Sequence, residues 1–151
     1  MPRKPREIVA GGIYHVFARG NNRQPIFVDD RDRRIYLWIL GDVASEFGWS
    51  RLGHCLMDNH IHLLIELSEP NLSEGMHRLQ LRYTRRFNHR HGRTGHLFGG
   101  RYKSVRVTTD RQLAAVTTYV LANPVQAGLC ERPENWPWTN CEAARRVLAT
   151  R

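Results

Sequence analysis

The chain has 151 residues, of which 41% are hydrophobic and 25% are charged, and its formal net charge is +9 at pH 7. This composition is ordinary for a globular protein that buries one core, so we expect a single domain over residues 1–151. The positive charge predicts a polyanionic partner, nucleic acid ahead of an anionic membrane surface. No apolar run approaches the roughly 20 residues that a membrane-spanning helix needs, which excludes that class.

Two further features of the composition predict the compartment. The N-terminal segment is basic and has no apolar stretch behind it, so it does not have the pattern of a signal peptide. Cys55, Cys130 and Cys141 are odd in number and lack C-x-x-C spacing, which argues against a disulfide framework and against a cysteine zinc site. We therefore expect a reducing, cytoplasmic location.

The first third of the chain predicts a strand followed by a helix. Residues 1–11 are expected to form a flexible basic lead-in, and the β-formers over residues 13–19 predict the first strand. Asp29 or Asp30 can cap a helix that runs to about Glu46. We expect its buried stripe to contain apolar side chains at helical spacing and one acid: Ile35, Trp38, Ile39, Asp42 and Val43.

The middle of the chain predicts a hairpin and a second helix. Strands over residues 49–57 and 60–66, joined by a tight turn at Asp58 and Asn59, should pair antiparallel. Asn71, with a glutamate three residues later, has the pattern of a capping box at the start of the second helix. Its buried stripe should consist of Leu72, Met76, Leu79, Tyr83 and Phe87.

The last third predicts a fourth strand, a third helix and a tail. The strand covers residues 101–108, and the helix begins after a cap at Asp110 and runs to about Asn123, where Pro124 closes it. The tail over residues 132–151 contains a short basic helix. The element order β-α-β-β-α-β-α predicts an α+β fold: a ferredoxin-like split βαβ antiparallel sheet with an added C-terminal helix.

His60 and His62 lie two residues apart in the third predicted strand. Alternation sends both imidazoles to one face of the sheet, while Ile61, Leu63 and Ile65 should face the two crossover helices. Two imidazoles side by side are a common metal-binding pair, but each could equally be a hydrogen-bonded histidine on a half-buried strand. The pair alone leaves both interpretations open.

The third helix offers two side chains that could complete such a site. Tyr119 and Asn123 are four residues apart, so they lie on one face of the helix. A helix laid over the histidine face could bring an amide oxygen and a phenol beside the imidazoles. Alternatively, Tyr119 is a tyrosine at the edge of the core, and Asn123 is a helix-terminal residue before Pro124.

Four segments together carry a resemblance to a known family. They are Gly12–Gln24 (GIYHVFARGNNRQ), Leu56–Ile65 (LMDNHIHLLI), Phe98–Ser104 (FGGRYKS) and Tyr119–Gly128 (YVLANPVQAG). Over about residues 11–138 the chain resembles the REP-associated tyrosine transposases, which belong to the HUH, one-tyrosine class of single-strand DNA transposases. The resemblance implies a ferredoxin-like nuclease fold.

The resemblance also implies roles for individual residues. His60 and His62 match the HUH metal-binding pair, Tyr119 matches the catalytic tyrosine, and Asn123 matches the third metal-ligand position, where other branches carry glutamine. It implies Mg²⁺ or Mn²⁺, although two imidazoles by themselves suit Mn²⁺ or Zn²⁺ better than Mg²⁺. The implied partner is hairpin DNA with an adjacent single-stranded segment. The protein would act in the cytoplasm at the nucleoid, as a monomer or a homodimer.

The implied reaction is transesterification on single-stranded DNA. Tyr119 would attack the scissile phosphate, forming a covalent 5′-phosphotyrosine and releasing a 3′-hydroxyl, and a second 3′-hydroxyl could reverse the step and rejoin strands. Two other functions fit the residues. One is a non-catalytic ferredoxin-like module that binds RNA or DNA, and the other is a metal-dependent nuclease that uses water while Tyr119 is structural.

A long basic stretch predicts where DNA would bind. Residues 75–109 contain no acid, which favours phosphate contact over a solvated face carrying both signs. The candidate DNA-binding residues are Arg78, Arg82, Arg85, Arg86, Arg90, Arg93, Arg101, Lys103 and Arg106. Phe98, Tyr102 and Trp136 could stack on unpaired bases, or they could belong to the core.

Overall fold

Nine regular elements follow one another along residues 7–150, the part of the chain that this computed structural model describes. They are β1 (Ile13–Arg19), α1 (Asp30–Phe47), β2 (Trp49–Leu56), β3 (His60–Leu67), α2 (Leu72–His91), β4 (Lys103–Val107), α3 (Asp110–Gln126), β5 (Thr139–Asn140) and α4 (Glu142–Ala149). The strands form one antiparallel sheet in the order β4-β1-β3-β2-β5. This confirms the predicted α+β fold and adds β5, which the sequence did not predict.

The strand β3 lies at the centre of the sheet and is buried on both faces. Ile61, Leu63 and Ile65 pack into the main core with α1 and α2, as alternation predicted. Leu64 points the other way into a second cluster, which contains Leu113 of α3 and Ala144 of α4. Full burial of each such aliphatic side chain contributes about 1.5–3 kcal/mol, so a one-residue slip of β3 would be costly. The histidine positions are therefore fixed by packing.

The helix α1 has the predicted ends but not the predicted stripe. Asp29 caps it by accepting a hydrogen bond from the Asp32 backbone N–H, and it ends at Gly48, whose φ of 69° is left-handed. Ile39 and Val43 are buried as expected. The placement of Trp38 was wrong, because its side chain is 67% exposed. The core positions at helical spacing are instead those of Tyr36, Ile39, Leu40 and Val43.

The helix α2 confirms its predicted stripe, since all five apolar side chains are buried. The capping box was wrong. The Asn71 side chain makes no cap; its oxygen accepts a hydrogen bond from Trp49 Nε1 at 3.0 Å and its amide nitrogen donates to Phe47 O at 2.9 Å. Those partners lie more than twenty residues upstream, and a local motif cannot anticipate them.

The helix α3 differs from its predicted limits at both ends. Thr109, not Asp110, is the N-cap, and its hydroxyl accepts a hydrogen bond from the Gln112 backbone N–H at 3.1 Å. At the other end the helix continues beyond Asn123 with Pro124 inside it. Proline removes the backbone donor that would otherwise bond to the Val120 carbonyl, and only two residues of the helix follow it.

The predicted lead-in lies partly outside the described residues, which begin at residue 7. Within the described part, the Val9 N–H donates to Tyr14 Oη at 2.9 Å and the Gly11 N–H donates to Leu67 O at 2.8 Å. Residues 7–11 are therefore hydrogen-bonded to the end of the sheet.

The tail also packs onto the sheet. Trp136 Nε1 donates to Leu56 O at 2.9 Å, and Ala144 of the predicted basic helix is fully buried. The described residues include no helix that is both long enough and apolar enough to cross a membrane.

Candidate active site

The two histidines of β3 lie side by side on the face of the sheet that α3 and α4 cover. Their ring centroids are 5.2 Å apart, with the planes nearly perpendicular. Phe17 of the neighbouring strand pairs with His62 and lies against both imidazoles, at 5.5 and 5.3 Å between ring centroids. His60 and His62 lie on one face of the sheet, as predicted, because side chains two residues apart in a strand point the same way.

The helix α3 brings two more of the predicted residues to this place. Asn123 Oδ1 lies 3.1 Å from His60 Nε2, across 63 residues of sequence. The Tyr119 ring lies 5.6 Å from the His62 ring in an edge-to-face arrangement, and its side chain is 50% exposed. Two imidazoles, a carboxamide and a phenol therefore meet on one face, and the phenol is the group most open to a large substrate.

A third imidazole, which no sequence motif indicated, belongs to the same cluster. His15 Nε2 lies 3.0 Å from His62 Nδ1, and the two rings are stacked with centroids 5.2 Å apart. Alternation in β1 carried the signal. Tyr14 and Val16 are buried on the helical side, so His15 had to point to the face that carries His62.

Burial keeps these imidazoles neutral. It lowers the pKa of His62 to about 3, and the neighbouring His15 and His60 lower it further. Burial also lowers the pKa of His60 and the pKa of His15 below the usual value. Since a charged imidazole is hard to accommodate here, each ring offers a lone pair rather than a second N–H at neutral pH.

The hydrogen bonds of His60 and His62 suit a bound cation. His62 Nε2 is buried and has no hydrogen-bond partner among the described residues. His60 Nδ1 lies 2.7 Å from Asn59 Oδ1, an acceptor, so the proton of the neutral ring belongs on Nδ1. His60 Nε2 then faces the oxygen of Asn123 as a second acceptor. A cation between these atoms would replace that lone-pair repulsion with attraction.

The donor set also limits the choice of ion. Within residues 7–150 no group of three or more His, Cys, Asp or Glu side chains is arranged to hold a metal ion, so the third protein ligand would be the Asn123 amide oxygen. Two imidazole nitrogens and one amide oxygen suit Mn²⁺ better than Mg²⁺, which prefers an all-oxygen shell. Water and phosphate oxygens would have to supply the rest.

The predicted DNA-binding residues divide into paired and unpaired groups. The acid-free stretch of α2 faces the acids of α1, so this surface carries both signs after all. Three of the nine predicted residues form ion pairs: Arg78 with Glu46 (2.9 Å), Arg82 with Asp42 (2.6 Å), and Arg90 with Asp29 (2.7 Å) and Asp32 (2.6 Å). The helix α2 also lies on the opposite side of the sheet from the histidines.

Arg85 and Arg86 have a different environment, because no acid in the described part of the chain forms an ion pair with either. They line a cleft of about 790 Å³ between α1 and α2, the arginine cleft, whose other lining residues include Arg31, Arg34, Arg82 and the exposed Trp38. The guanidinium of Arg82 lies over the Trp38 ring at 5.8 Å. A cleft of this composition presents positive charge and a flat aromatic surface together.

The remaining predicted basic residues are spread around the β4 edge of the sheet. Lys103 pairs with Phe17 and so shares the histidine face, whereas Arg106 pairs with Tyr14 and shares the helical face. Arg101 is exposed just before β4. Arg93 donates hydrogen bonds to Asn88 Oδ1 and Gln24 Oε1, at 2.9 and 3.1 Å, and so braces a loop.

The proposed stacking platforms lie in the interior or at its edge. Phe98 and Tyr102 are 9% and 6% exposed, and Trp136 is partly buried with its indole N–H bonded to the backbone. Of the two interpretations of these rings, the structure favours the core over base stacking. Trp38 and Tyr119 are the exposed large aromatic side chains among the described residues.

Comparison with known proteins gives consistent matches. A family model described as "Transposase IS200 like" matches residues 8–123. A curated protein of Haemophilus influenzae, named "Putative REP-associated tyrosine transposase", is 22% identical over 146 residues, which cover 89% of this chain and 82% of the relative.

Two solved structures share the fold. One, of a REP-associated tyrosine transposase bound to a REP hairpin, superposes with a TM-score of 0.76 at 16% identity, over 92% of this chain and 82% of that one. The other, a "putative transposase" from Deinococcus radiodurans, gives a TM-score of 0.55 at 20% identity, over 79% and 95% of the two chains.

Proposed function

This chain belongs to the family of IS200-like transposases, and from that membership and its histidine face we propose that it cuts and rejoins single-stranded DNA next to a hairpin. The observation that carries the proposal is the meeting of Tyr119 with His60, His62 and Asn123 on one face of the sheet. His62 Nε2, which is buried and has no hydrogen-bond partner within residues 7–150, supports a bound ion at that place.

The chain's own residues would perform a single transesterification. The phenolic oxygen of Tyr119 attacks the scissile phosphorus, a bond forms between them, and the bond from phosphorus to the 3′-oxygen breaks. The phenol gives up its proton, and the departing 3′-oxygen takes one up. One phosphodiester replaces another, so the released 3′-hydroxyl, or a different one, can reverse the step without a nucleotide cofactor.

His60, His62 and Asn123 would hold Mn²⁺ or Mg²⁺ beside the phosphate. When bound, such an ion neutralises charge on the non-bridging oxygens and orients the phosphate for in-line attack. The side chains contribute by being neutral and fixed: His60 is oriented by Asn59, and His62 is oriented by His15.

The DNA partner is supported by charge and by a relative whose structure was solved with a REP hairpin. We propose that the stem lies along the α1/α2 face, where Arg85 and Arg86 line the arginine cleft. Arg78, Arg82 and Arg90 would contribute less, since acids of α1 already pair with them.

Arg101, Lys103 and Arg106 at the β4 edge would guide the single strand toward the histidine face, and Arg93 would support the adjoining loop.

One assay separates this function from its rivals. The protein is incubated with end-labelled hairpin DNA that carries a single-stranded flank, with Mn²⁺, and the products are run under denaturing conditions. The proposal predicts a protein–DNA adduct that Tyr119→Phe abolishes and the control Tyr102→Phe retains. Cleavage without an adduct would indicate a nuclease that uses water. A shift of the DNA on a parallel native gel, without cleavage on the denaturing gel, would indicate a binding module.

A further inference from the structure

A cleft of about 280 Å³ opens beside His60, at the C-terminal end of α3. Its floor is the buried Met57 side chain, and its walls include Pro25, Ala127 and Leu129. Arg23 and Asp58 lie at its polar rim. The cleft is smaller than the roughly 300–1,000 Å³ pockets that hold drug-sized ligands, so its dimensions suit one flat group rather than a whole nucleotide.

The position of this cleft relative to Tyr119 follows from the helix. Tyr119, Asn123 and the C-cap residue Ala127 are spaced four residues apart, so they form one stripe that runs to the C-terminal end of α3, with a rise of about 6 Å between neighbours. Tyr119 lies against His62, Asn123 contacts His60, and Ala127 lines the cleft that His60 also lines. The order along the stripe is therefore the phenol, then Asn123 of the proposed ion site, then the cleft.

In-line displacement relates this order to the polarity of the DNA strand. The attacking and leaving oxygens lie on opposite sides of the phosphorus. If Tyr119 attacks from its own side, the departing 3′-oxygen points toward Ala127 and the cleft. That oxygen belongs to the nucleotide on the 5′ side of the scissile phosphate. We propose that the cleft seats the base of this nucleotide, an inference that rests on the transesterification proposed above.

The walls and rim suit a nucleobase. Apolar side chains can pack on its faces, and the guanidinium of Arg23 can donate to acceptors on its edge. The rim is also held in place: Asn59 Nδ2 donates to Arg23 O at 3.2 Å, while Asn59 Oδ1 contacts His60 Nδ1 at 2.7 Å. Asn22 and Arg23 adopt left-handed φ values of 52° and 57°, a conformation rare outside glycine that clusters at functional sites.

An abasic-site scan with a cleft-filling variant tests the inference. Each position of the single-stranded flank is made abasic in turn, and equilibrium DNA binding is measured in a Tyr119→Phe background so that nothing is cut. The same scan is run with Ala127→Trp, which fills the cleft, and with Gln126→Trp, an exposed neighbour that does not line it. Thermal unfolding verifies that both tryptophan variants are folded.

We expect one position at which base removal weakens binding about tenfold, and we expect that loss to persist with Gln126→Trp but shrink below about twofold with Ala127→Trp. Cleavage by the protein with Tyr119 intact should fall immediately 3′ of that position. A coupled position on the other side of the cut, or no coupled position, would overturn the inference and leave the transesterification standing. If nothing is cut, the proposed reaction fails, while the binding scan still decides whether the cleft holds a base.

Discussion

The two faces of the sheet differ in how they treat charge. On the α1/α2 face, arginines and acids form ion pairs at the surface, and an exposed tryptophan lies among five arginines. On the α3/α4 face, the buried His62 and the half-buried His15 and His60 lie beside a phenol, and removal from water lowers the pKa of each imidazole. The first environment suits long-range attraction of a polyanion, whereas the second suits ligation and chemistry.

The difference shows that one sheet can serve two incompatible requirements by using both of its sides. Water and mobile charge beside His62 would favour protonation, and a neutral, dry α1/α2 face would attract no DNA. A physical link joins the two faces: Arg33 of α1 donates to Asp58, in the turn that leads into His60, at 2.5 Å. The turn that precedes His60 is thereby fixed to α1 on the other face of the sheet.

The largest expected effect comes from breaking the histidine face. His62→Gln removes a neutral imidazole from the proposed ion site, so adduct formation should fall at least about 100-fold, more than the loss of a supporting residue typically causes. DNA binding, measured by fluorescence anisotropy, should change less than about twofold because the arginine cleft is intact. The exposed His77→Gln on α2 is the matched control. Near-normal adduct formation by His62→Gln would contradict the separation of the faces.

A smaller loss is expected when the support of His62 is removed. If His62 Nδ1–H donates to His15 Nε2, His15→Phe keeps the stacked ring but removes the acceptor, and Mn²⁺ affinity should fall about 10- to 100-fold. His15→Gln provides an acceptor at similar reach and should recover most of the affinity. Electron paramagnetic resonance titration measures the Mn²⁺ affinity of each variant. Equal affinity in both variants would show that the contact between His15 and His62 has no role in Mn²⁺ binding.

The buried imidazoles should also make the metal-free protein sensitive to acid. Burial lowers the pKa of His54 to about 4 and the pKa of His62 to about 3. Below their ordinary pKa of about 6.5 the unfolded chain binds protons that the folded chain refuses, so each group lowers stability by about 1.4 kcal/mol per pH unit as pH falls toward its folded value. Above about pH 7 neither group contributes a slope.

Urea unfolding at pH 7, 6 and 5 measures this dependence. In His54→Gln the free energy of unfolding should fall less steeply as the pH is lowered, because glutamine does not titrate and the contribution of one histidine is lost. An unchanged slope in that variant would mean that His54 is readily protonated in the folded protein, against the lowering of its pKa at its half-buried position on β2.

The smallest effect is expected on the α1/α2 face, where each arginine is one contact among several. Changing Arg85 and Arg86 to alanine should reduce the slope of log affinity against log salt by about 0.7–0.9 for each lost phosphate contact. Replacing Arg78 together with its partner Glu46 keeps the net charge and should leave the slope nearly unchanged. Equal slopes for both double variants would show that the stem does not use the arginine cleft.

Local periodicity accounts for what the sequence could predict. The alternation of β3 and the stripe of α2 depend on backbone geometry and burial, and both match the structure. The stripe spacing of Tyr119 and Asn123 likewise needs only the helical period. These features are set within a few residues, so a single sequence contains enough information to predict them.

What the sequence could not predict depends on contacts between distant residues. Arg90 pairs with Asp29 across 61 residues, so an acid-free stretch of chain did not give an acid-free surface. His15 meets His62 across 47 residues, and Asn71 bonds to Trp49 instead of capping its own helix. Arg90 and Asn71 thus have tertiary partners in place of the roles that local patterns gave them, and His15 has a partner that no local pattern indicated.

The most direct test is to find the atom that carries the DNA. After reaction with Mn²⁺ and single-stranded hairpin DNA, the adduct is digested with nuclease and trypsin and analysed by mass spectrometry. Residues 112–145, bounded by Arg111 and Arg145, contain Tyr119 as their sole tyrosine. We predict that this peptide carries a 5′-phosphoryl nucleotide on the Tyr119 oxygen. Cut DNA with a free 5′-phosphate and an unmodified peptide, or the nucleotide on another residue, would contradict the account.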